Sequence, residues 1–236
     1  MARRKKRKKY HKNLILILLV IITTYYRDDI TRFLASKFVV SYALSDIPDY
    51  TDKKYVFING NVPDFKDEDK NTNTFAHYSN LDILGRCGVA YANISVESMP
   101  TKEREGIGMI KPTGWHISKY DFIDGKYLYN RCHLIGYQLT GENANPKNLI
   151  TCTRTMNAKT MLEFENQVAN YIRKTNNHVL YRVTPIFKDN NMLATGVQIE
   201  AESVEDKGKG IRFNVFIYNV EDNIEINYLD GSNKLK

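Results

Sequence analysis

What this chain has little of narrows it first. Its 13 glycines and 6 prolines in 236 residues are too few for a collagenous or low-complexity polymer. With 42% hydrophobic and 11% aromatic side chains, disorder and coiled coil fall away too. No internal repeat and no glycine-rich phosphate loop occurs. Three cysteines do not make a disulfide framework, and a core of this size is stable without one. Cys87, Cys132, His133 and Cys152 are poor candidates for structural zinc. No pair has C-x₂₋₄-C spacing, and adjacent Cys132 and His133 would project to opposite sides of a strand. At most one internal disulfide can form; Cys87 with Cys132 is one option, and the sequence does not choose among them.

A general excess of positive charge is missing as well. The net charge is +7, but eight of the 34 basic residues lie within positions 1–12, leaving 26 against 27 acidic ones in the rest. The body therefore has no global field to draw in polyanions, and any such substrate must be held by a local site. The basic run precedes nine apolar residues, Leu14 to Ile22, and then Tyr25 and Tyr26. That order is an export signal. Nothing like Ala-x-Ala follows, which favours an uncleaved anchor, although about thirteen residues fall short of the roughly 20 that span a bilayer. Residues 1–27 are thus expected to be a basic n-region with a signal anchor or signal peptide. The body would lie on the extracellular face of the membrane, or be secreted if the segment is cleaved. Residues 28–46 read as a juxtamembrane stalk and 47–236 as the functional domain.

Within that domain, Tyr55 to Asn59 predicts a strand and Asp64 to Asn73 a solvated loop. Gly88 to Ser95 predicts another strand, and Leu162 to Thr175 a part-buried helix. Four alternating runs follow: Val179/Tyr181/Val183, Val197/Ile199/Ala201, Ile211/Phe213/Val215/Ile217 and Ile224/Ile226/Tyr228, separated by turn-forming segments. The expected class is α+β with a largely antiparallel central sheet.

Of the five histidines, His133 has the most suggestive neighbours. In Tyr127-Leu128-Tyr129-Asn130-Arg131-Cys132-His133, strand alternation aims Arg131 and His133 to one face. A neutral imidazole can take a proton from water near pH 7, and a guanidinium beside it can hold a phosphate oxygen. Downstream come Asn148 in Asn145-Pro146-Lys147-Asn148, Asn157 in Arg154-Thr155-Met156-Asn157, and Glu165 in Leu162-Glu163-Phe164-Glu165.

These segments together resemble the DNA/RNA non-specific endonucleases, the ββα-metal nucleases, and within them the membrane-bound bacterial nucleases of DNA uptake. That signature is Asp-Arg-Gly-His, an Asn, a second Asn nine positions on and a Glu eight further; here the counterparts are Asn130-Arg131-Cys132-His133, Asn148, Asn157 and Glu165. Both spacings are kept, and the likeness runs from about Leu81 through Ser232. Asn130 stands for the Asp and Cys132 for the Gly, which removes a carboxylate and adds a side chain.

The resemblance implies a ββα-metal fold and a metal-dependent endonuclease cutting DNA, with RNA as a second substrate, without sequence preference. It implies that His133 is the general base and that Asn157 is the direct ligand of Mg²⁺, with Mn²⁺ as its substitute. An ion that dehydrates reluctantly suits so few protein ligands. Glu165 would hold a metal-bound water or, alternatively, be a helix-surface carboxylate. Asn148 would position the imidazole or the phosphate, or serve as a turn residue. Arg131 and Arg104, the latter in Met99-Pro100-Thr101-Lys102-Glu103-Arg104, would bind phosphate, with Arg86 as the substitute for Arg104. Trp115 and His116 could offer a stacking platform for a base, or belong to the core. The contrasting expectation, prompted by Asn130, is a catalytically impaired nucleic-acid receptor on the same fold.

Overall fold

The computed structural model describes residues 24–27 and 41–236. The basic run, the apolar run and the stretch 28–40 lie outside the described residues, and with them most of the expected anchor and stalk. No helix among the described residues is long and apolar enough to cross a membrane. Thr24 to Arg27 form a helical turn in which the rings of Tyr25 and Tyr26 meet edge to face.

From Ser41 onward the chain is one compact unit. Its first strands are Ser41–Tyr42 (β1), Tyr55–Ile58 (β2), Phe75–Tyr78 (β3) and Ala90–Ile94 (β4). Then come Tyr129–His133 (β5), the one-turn helix Tyr137–Thr140 (α1) and Leu149–Thr153 (β6). A π-helix over Met156–Met161 runs straight into the helix Leu162–Thr175 (α2). Val179–Ile186 (β7), Gly196–Ser203 (β8), Arg212–Tyr218 (β9), Ile224–Ile226 (β10) and Asn233–Leu235 (β11) complete the unit. Because β1 already pairs with β2, the unit starts at Ser41 and not near Ile47, so residues 41–46 are part of it.

The main sheet has the order β1-β2-β9-β8-β7-β4-β3, antiparallel throughout except for β1 beside β2. The expectation of an α+β domain with a largely antiparallel sheet is met. Alternation sends Val179, Tyr181, Val183, Val197, Ile199, Ala201, Phe213, Val215 and Ile217 into one core. Onto them α2 lays Phe164, Val168, Ala169 and Ile172. Each fully buried apolar side chain of this kind is worth roughly 1.5–3 kcal/mol, so the helix is fixed by packing along one stripe. Its last turn closes on Asn176, left-handed at φ 58°, whose N–H bonds the carbonyl of Ile172.

The second face of the sheet is polar yet covered. Glu200 is 2% exposed and accepts from Arg182 Nε at 2.7 Å and from the Asp64 N–H at 2.9 Å. Arg182 itself lies against the rings of Phe65 and Tyr91. Asn93 donates to the carbonyls of Asn71 and Asn73. The segment 64–73 is mostly exposed loop, as expected, and it also covers this face. Its anchor is one buried aromatic, Phe65, among polar residues that hide it from any periodicity test.

Strands β5 and β6 form a separate antiparallel pair, with Arg131 opposite Thr151 and His133 opposite Leu149. A disulfide joins Cys132 to Cys152 across it, Cα to Cα 5.9 Å, and Cys87 is the buried free thiol. The pairing of Cys87 with Cys132 is thus replaced: Cys87 turns its sulfur toward the carbonyls of Pro146 and Leu149. Burial raises the Cys87 thiol pKa to about 11.

Two residues beyond β9 fasten the hairpin and the helix that follows it. Asn219, fully buried, accepts from the Thr153 N–H at 2.9 Å and donates to the carbonyls of Thr151 and Ala194. Glu221 accepts from the N–H and the hydroxyl of Thr155, at 2.9 and 2.5 Å, at the mouth of the π-helix. A carboxylate there satisfies an orphan N–H and complements the helix dipole.

Candidate active site

His133 ends β5, and the chain beyond it is held in place by Asn148. The Asn148 carboxamide accepts from the Ile135 N–H at 2.9 Å and donates to the Ile135 carbonyl at 3.0 Å, with no exposure to solvent. Both ends of that side chain are therefore used on backbone two residues past His133. Of the two roles expected for Asn148, the turn is present in the 3-10 segment Pro146–Asn148, and its buried side chain is spent on the backbone of Ile135.

The imidazole is 6% exposed and has a partner at each nitrogen. Nε2 lies 2.7 Å from the Asn143 carbonyl and Nδ1 lies 3.3 Å from Arg104 Nη2. A carbonyl only accepts and a guanidinium only donates. The partners thus assign the tautomer: Nε2 carries the hydrogen and Nδ1 the lone pair. Burial lowers the pKa of His133 and the charge of Arg104 lowers it further, against the opposing hydrogen bond to Asn143. The ring is neutral at pH 7, with Nδ1 as its basic atom.

Arg104 arrives on an exposed loop that has several tethers. The Tyr137 hydroxyl donates to the Lys102 carbonyl at 2.8 Å, and Asn143 Nδ2 donates to that of Glu105 at 3.2 Å. Arg131 provides the rest. Its Nη2 donates to the Gly108 carbonyl at 2.9 Å, its Nε donates to that of Ile110, and its guanidinium lies 4.0 Å from the centre of the Trp115 ring. Arg131 does not present a free fork beside His133 as the strand alternation suggested. It braces the loop that carries Arg104. Trp115 packs on the cluster of Ile123, Leu128 and Tyr129, and His116 bonds the Asp230 carbonyl at 2.9 Å. Arg86 is held by Asp82, by the carbonyls of Asp189 and Asn191, and over Phe187, so Arg104 and not Arg86 meets the His133 imidazole.

Glu165 is a buried carboxyl, not a helix-surface one. It is 9% exposed, and a Cβ on Gly136 would strike its carboxyl group. Only glycine three residues past His133 lets α2 bring this acid so close to the end of β5. Burial raises its pKa to about 7, against a hydrogen bond from Gln138 and the charge of Arg104. Arg104 therefore acts electrostatically on both His133 and Glu165.

Asn157 lies in the π-helix, a rare winding that recurs at functional sites. It is part-buried and, among the described residues, makes no side-chain hydrogen bond. No group of three His, Cys, Asp or Glu among the described residues forms a rival cation site. A lone carboxamide oxygen free to coordinate fits a hard ion that keeps its waters. Asn130 accepts from Arg154 at 3.4 Å, and Arg154 is paired with Asp124 at 2.8 Å.

Some participants carried no sequence signal. The Asn143 carbonyl is a backbone atom, and Asn219 and Glu221 act from more than sixty residues away. Gly136 had one faint sign, a lone glycine just after the histidine strand.

The sequence pattern of the DNA/RNA non-specific endonucleases matches residues 66–205, more than half of the chain. The chain belongs to that family and is an endonuclease. Among solved structures, NucA from Streptococcus agalactiae superposes with a TM-score of 0.70 in its magnesium-bound form, at 23% identity over 82% of this chain and 94% of that one. Its metal-free form gives the same TM-score at 24% identity, covering 82% and 92%. The Sda1 nuclease with bound zinc aligns at 25% identity and a TM-score of 0.58, over 69% and 81%. The fold is the ββα-metal nuclease fold that the resemblance implied, with β5, β6 and the π/α2 helix as its ββα unit.

Proposed function

We propose that this endonuclease is metal-dependent and hydrolyses phosphodiester bonds of DNA, with RNA as a second substrate, without reading sequence. The observation that carries this reading is the neutral imidazole of His133, held between the Asn143 carbonyl and Arg104 with its lone pair on Nδ1. Water loses its proton to Nδ1 as its oxygen attacks phosphorus. The new positive charge on the ring is stabilised through Nε2–H by the Asn143 carbonyl. Arg104 donates to the non-bridging oxygens of the attacked phosphate, where charge builds up. The bond from phosphorus to O3′ breaks, leaving a 5′-phosphate. Arg131 keeps the Arg104 loop in register and is a positioning residue, as Asn148 is for the segment after His133.

Mg²⁺, or Mn²⁺ in its place, would be held directly by Asn157, with Glu165 on one of its waters, and would stabilise negative charge on the phosphate and the leaving oxygen. The neutral amide leaves the ion its full charge, and the buried carboxyl of Glu165 suits a water ligand, since its burial is relieved by a hydrogen bond. Magnesium in the NucA structure and zinc in that of Sda1 support a divalent ion. The eight cations before Leu14 support an N-terminal anchor with the nuclease on the extracellular face, and a neighbouring structure is described as an extracellular endonuclease.

Plasmid DNA incubated with the protein in Mg²⁺ or in EDTA, beside a His133→Ala variant, tests the reading. Nicking and linearisation in Mg²⁺ only, and by the wild type only, are expected. Cleavage that persists in EDTA or survives in His133→Ala refutes it.

A further inference from the structure

Resting on the role of His133 above, we propose that Arg104 caps the lone pair of the base in the free enzyme and is drawn off it by the phosphate of the substrate. An imidazole in the Nε2–H tautomer has one lone pair, on Nδ1. Here that lone pair is occupied by Arg104 Nη2 at 3.3 Å, the other nitrogen is engaged by Asn143, and the ring is 6% exposed. With Arg104 in place, no water can hydrogen-bond to the atom that must deprotonate it. The base is assembled but closed.

Arg104 is free to leave. Its residue is exposed, and the imidazole is its only hydrogen-bond partner among the described residues. Its charge acts on the Glu165 carboxyl, but among the described residues no carboxylate lies within ion-pair distance of it. The tethers from Tyr137, Asn143 and Arg131 grip backbone carbonyls at Lys102, Glu105, Gly108 and Ile110, so the loop stays while the side chain swings. A neutral ring nitrogen is a weaker acceptor than an anionic phosphate, which takes a guanidinium in paired, charge-assisted bonds. Arrival of a phosphate therefore shifts the guanidinium from Nδ1 to the phosphate oxygens. The same movement opens Nδ1 to water and neutralises the cation that depresses the basicity of the ring. One side chain thus couples substrate binding to release of the base.

The test uses the full chain and inorganic phosphate as the probe, in EDTA and again in Mg²⁺. Acylation of His133 by diethyl pyrocarbonate is followed by peptide mass, and the His133 ring nitrogens by ¹⁵N NMR. In the wild type without phosphate, acylation should be slower than in Arg104→Ala by about ten- to a hundredfold, the protection that one hydrogen bond to a charged group confers. Phosphate should remove most of that protection in the wild type and move the Nδ1 resonance toward that of an unbonded lone pair. In Arg104→Ala it should change neither, and Arg104→Lys should fall between the two. The cap is refuted if phosphate leaves both signals of the wild type unmoved in EDTA and in Mg²⁺, or if the wild type and Arg104→Ala acylate alike. Plasmid cleavage by the same preparations separates the two ideas. Loss of phosphate sensitivity with His133-dependent cleavage intact removes the cap alone, whereas no cleavage by the wild type removes the assignment of function.

Discussion

Replacing Glu165 by Gln should make the protein more stable at neutral pH while damaging its activity. The carboxyl lies so close to Gly136 that no Cβ fits between them, and Gln has nearly the same shape. In the unfolded chain Glu165 ionises near its ordinary 4.5, whereas in the folded protein burial holds it at about 7. Below pH 4.5 the group is neutral in both states and costs nothing. Between 4.5 and 7 the unfolded state loses its proton first, so stability falls as pH rises, and above 7 the loss is complete. The interval corresponds to about 3 kcal/mol at roughly 1.4 kcal/mol per pH unit. Gln cannot ionise and escapes this cost. Urea unfolding of wild type and Glu165→Gln in EDTA at pH 4.5, 6 and 8 should show similar midpoints at the lowest pH and an advantage for the variant growing to about 3 kcal/mol at the highest. The titration of His133 is common to both proteins and cancels in the difference. A difference that does not change with pH would refute the reasoning, since it would mean that Glu165 ionises as freely in the folded state as in the unfolded one.

His133→Ala should lower cleavage by about 10² to 10⁴ with little change in melting temperature. In the wild type without substrate or metal, an NMR titration of the His133 ring should have its midpoint below 6.5, because burial and Arg104 lower its pKa. A midpoint above 6.5 would contradict the environment described for the ring. Asn157→Ala should raise the Mg²⁺ concentration needed for activity or abolish it, and an unchanged metal titration would move the ligand elsewhere. Deleting residues 1–27 should leave turnover on free DNA within a few fold, and Arg104→Ala should flatten the log-log salt dependence of binding by roughly 0.9, the share of the single phosphate that this guanidinium neutralises. If the deletion removes most of the affinity, the basic tail is a nucleic-acid arm. Reduction of Cys132–Cys152, which closes a loop 20 residues long, should cost about 3 kcal/mol in unfolding free energy. Equal denaturation midpoints with and without reductant would show that the bond contributes nothing.

The strands from Val179 onward were legible because apolar and polar side chains alternate along them, the apolar set facing one core even though the covered second face leaves nearly every position buried, and α2 because its apolar stripe faces the same core. His133 could be picked out as a residue type suited to the chemistry, and Arg104 only through the family resemblance. Their geometry could not. Whether Arg131 points at phosphate or at the carbonyls of Gly108 and Ile110 depends on a loop more than twenty residues upstream. The exposure of Glu165 depends on Gly136, and the choice of Cys152 over Cys87 depends on how β5 registers with β6. The segment 64–73 is the exposed loop its composition indicates, but its second role as a cover held by Phe65 was not legible, because a single Phe among charged residues leaves no periodic trace. Each of these is a long-range pairing, which a local pattern does not encode.

The ties made by Asn219 and Glu221 have a consequence for how the enzyme comes into being. Synthesis proceeds from the N-terminus, and a ribosome that has released residue 205 has already delivered His133, Asn148, Asn157 and Glu165, together with the whole matched family segment. That chain still lacks β9, the carboxamide that joins Thr151 and Thr153 to the sheet, and the carboxylate that seats Thr155 at the mouth of the helix bearing Asn157. The parts of the blade are made early and the rivet late: the ties that seat the Asn157 helix on the β5–β6 hairpin become available only when the last strands of the sheet have been made.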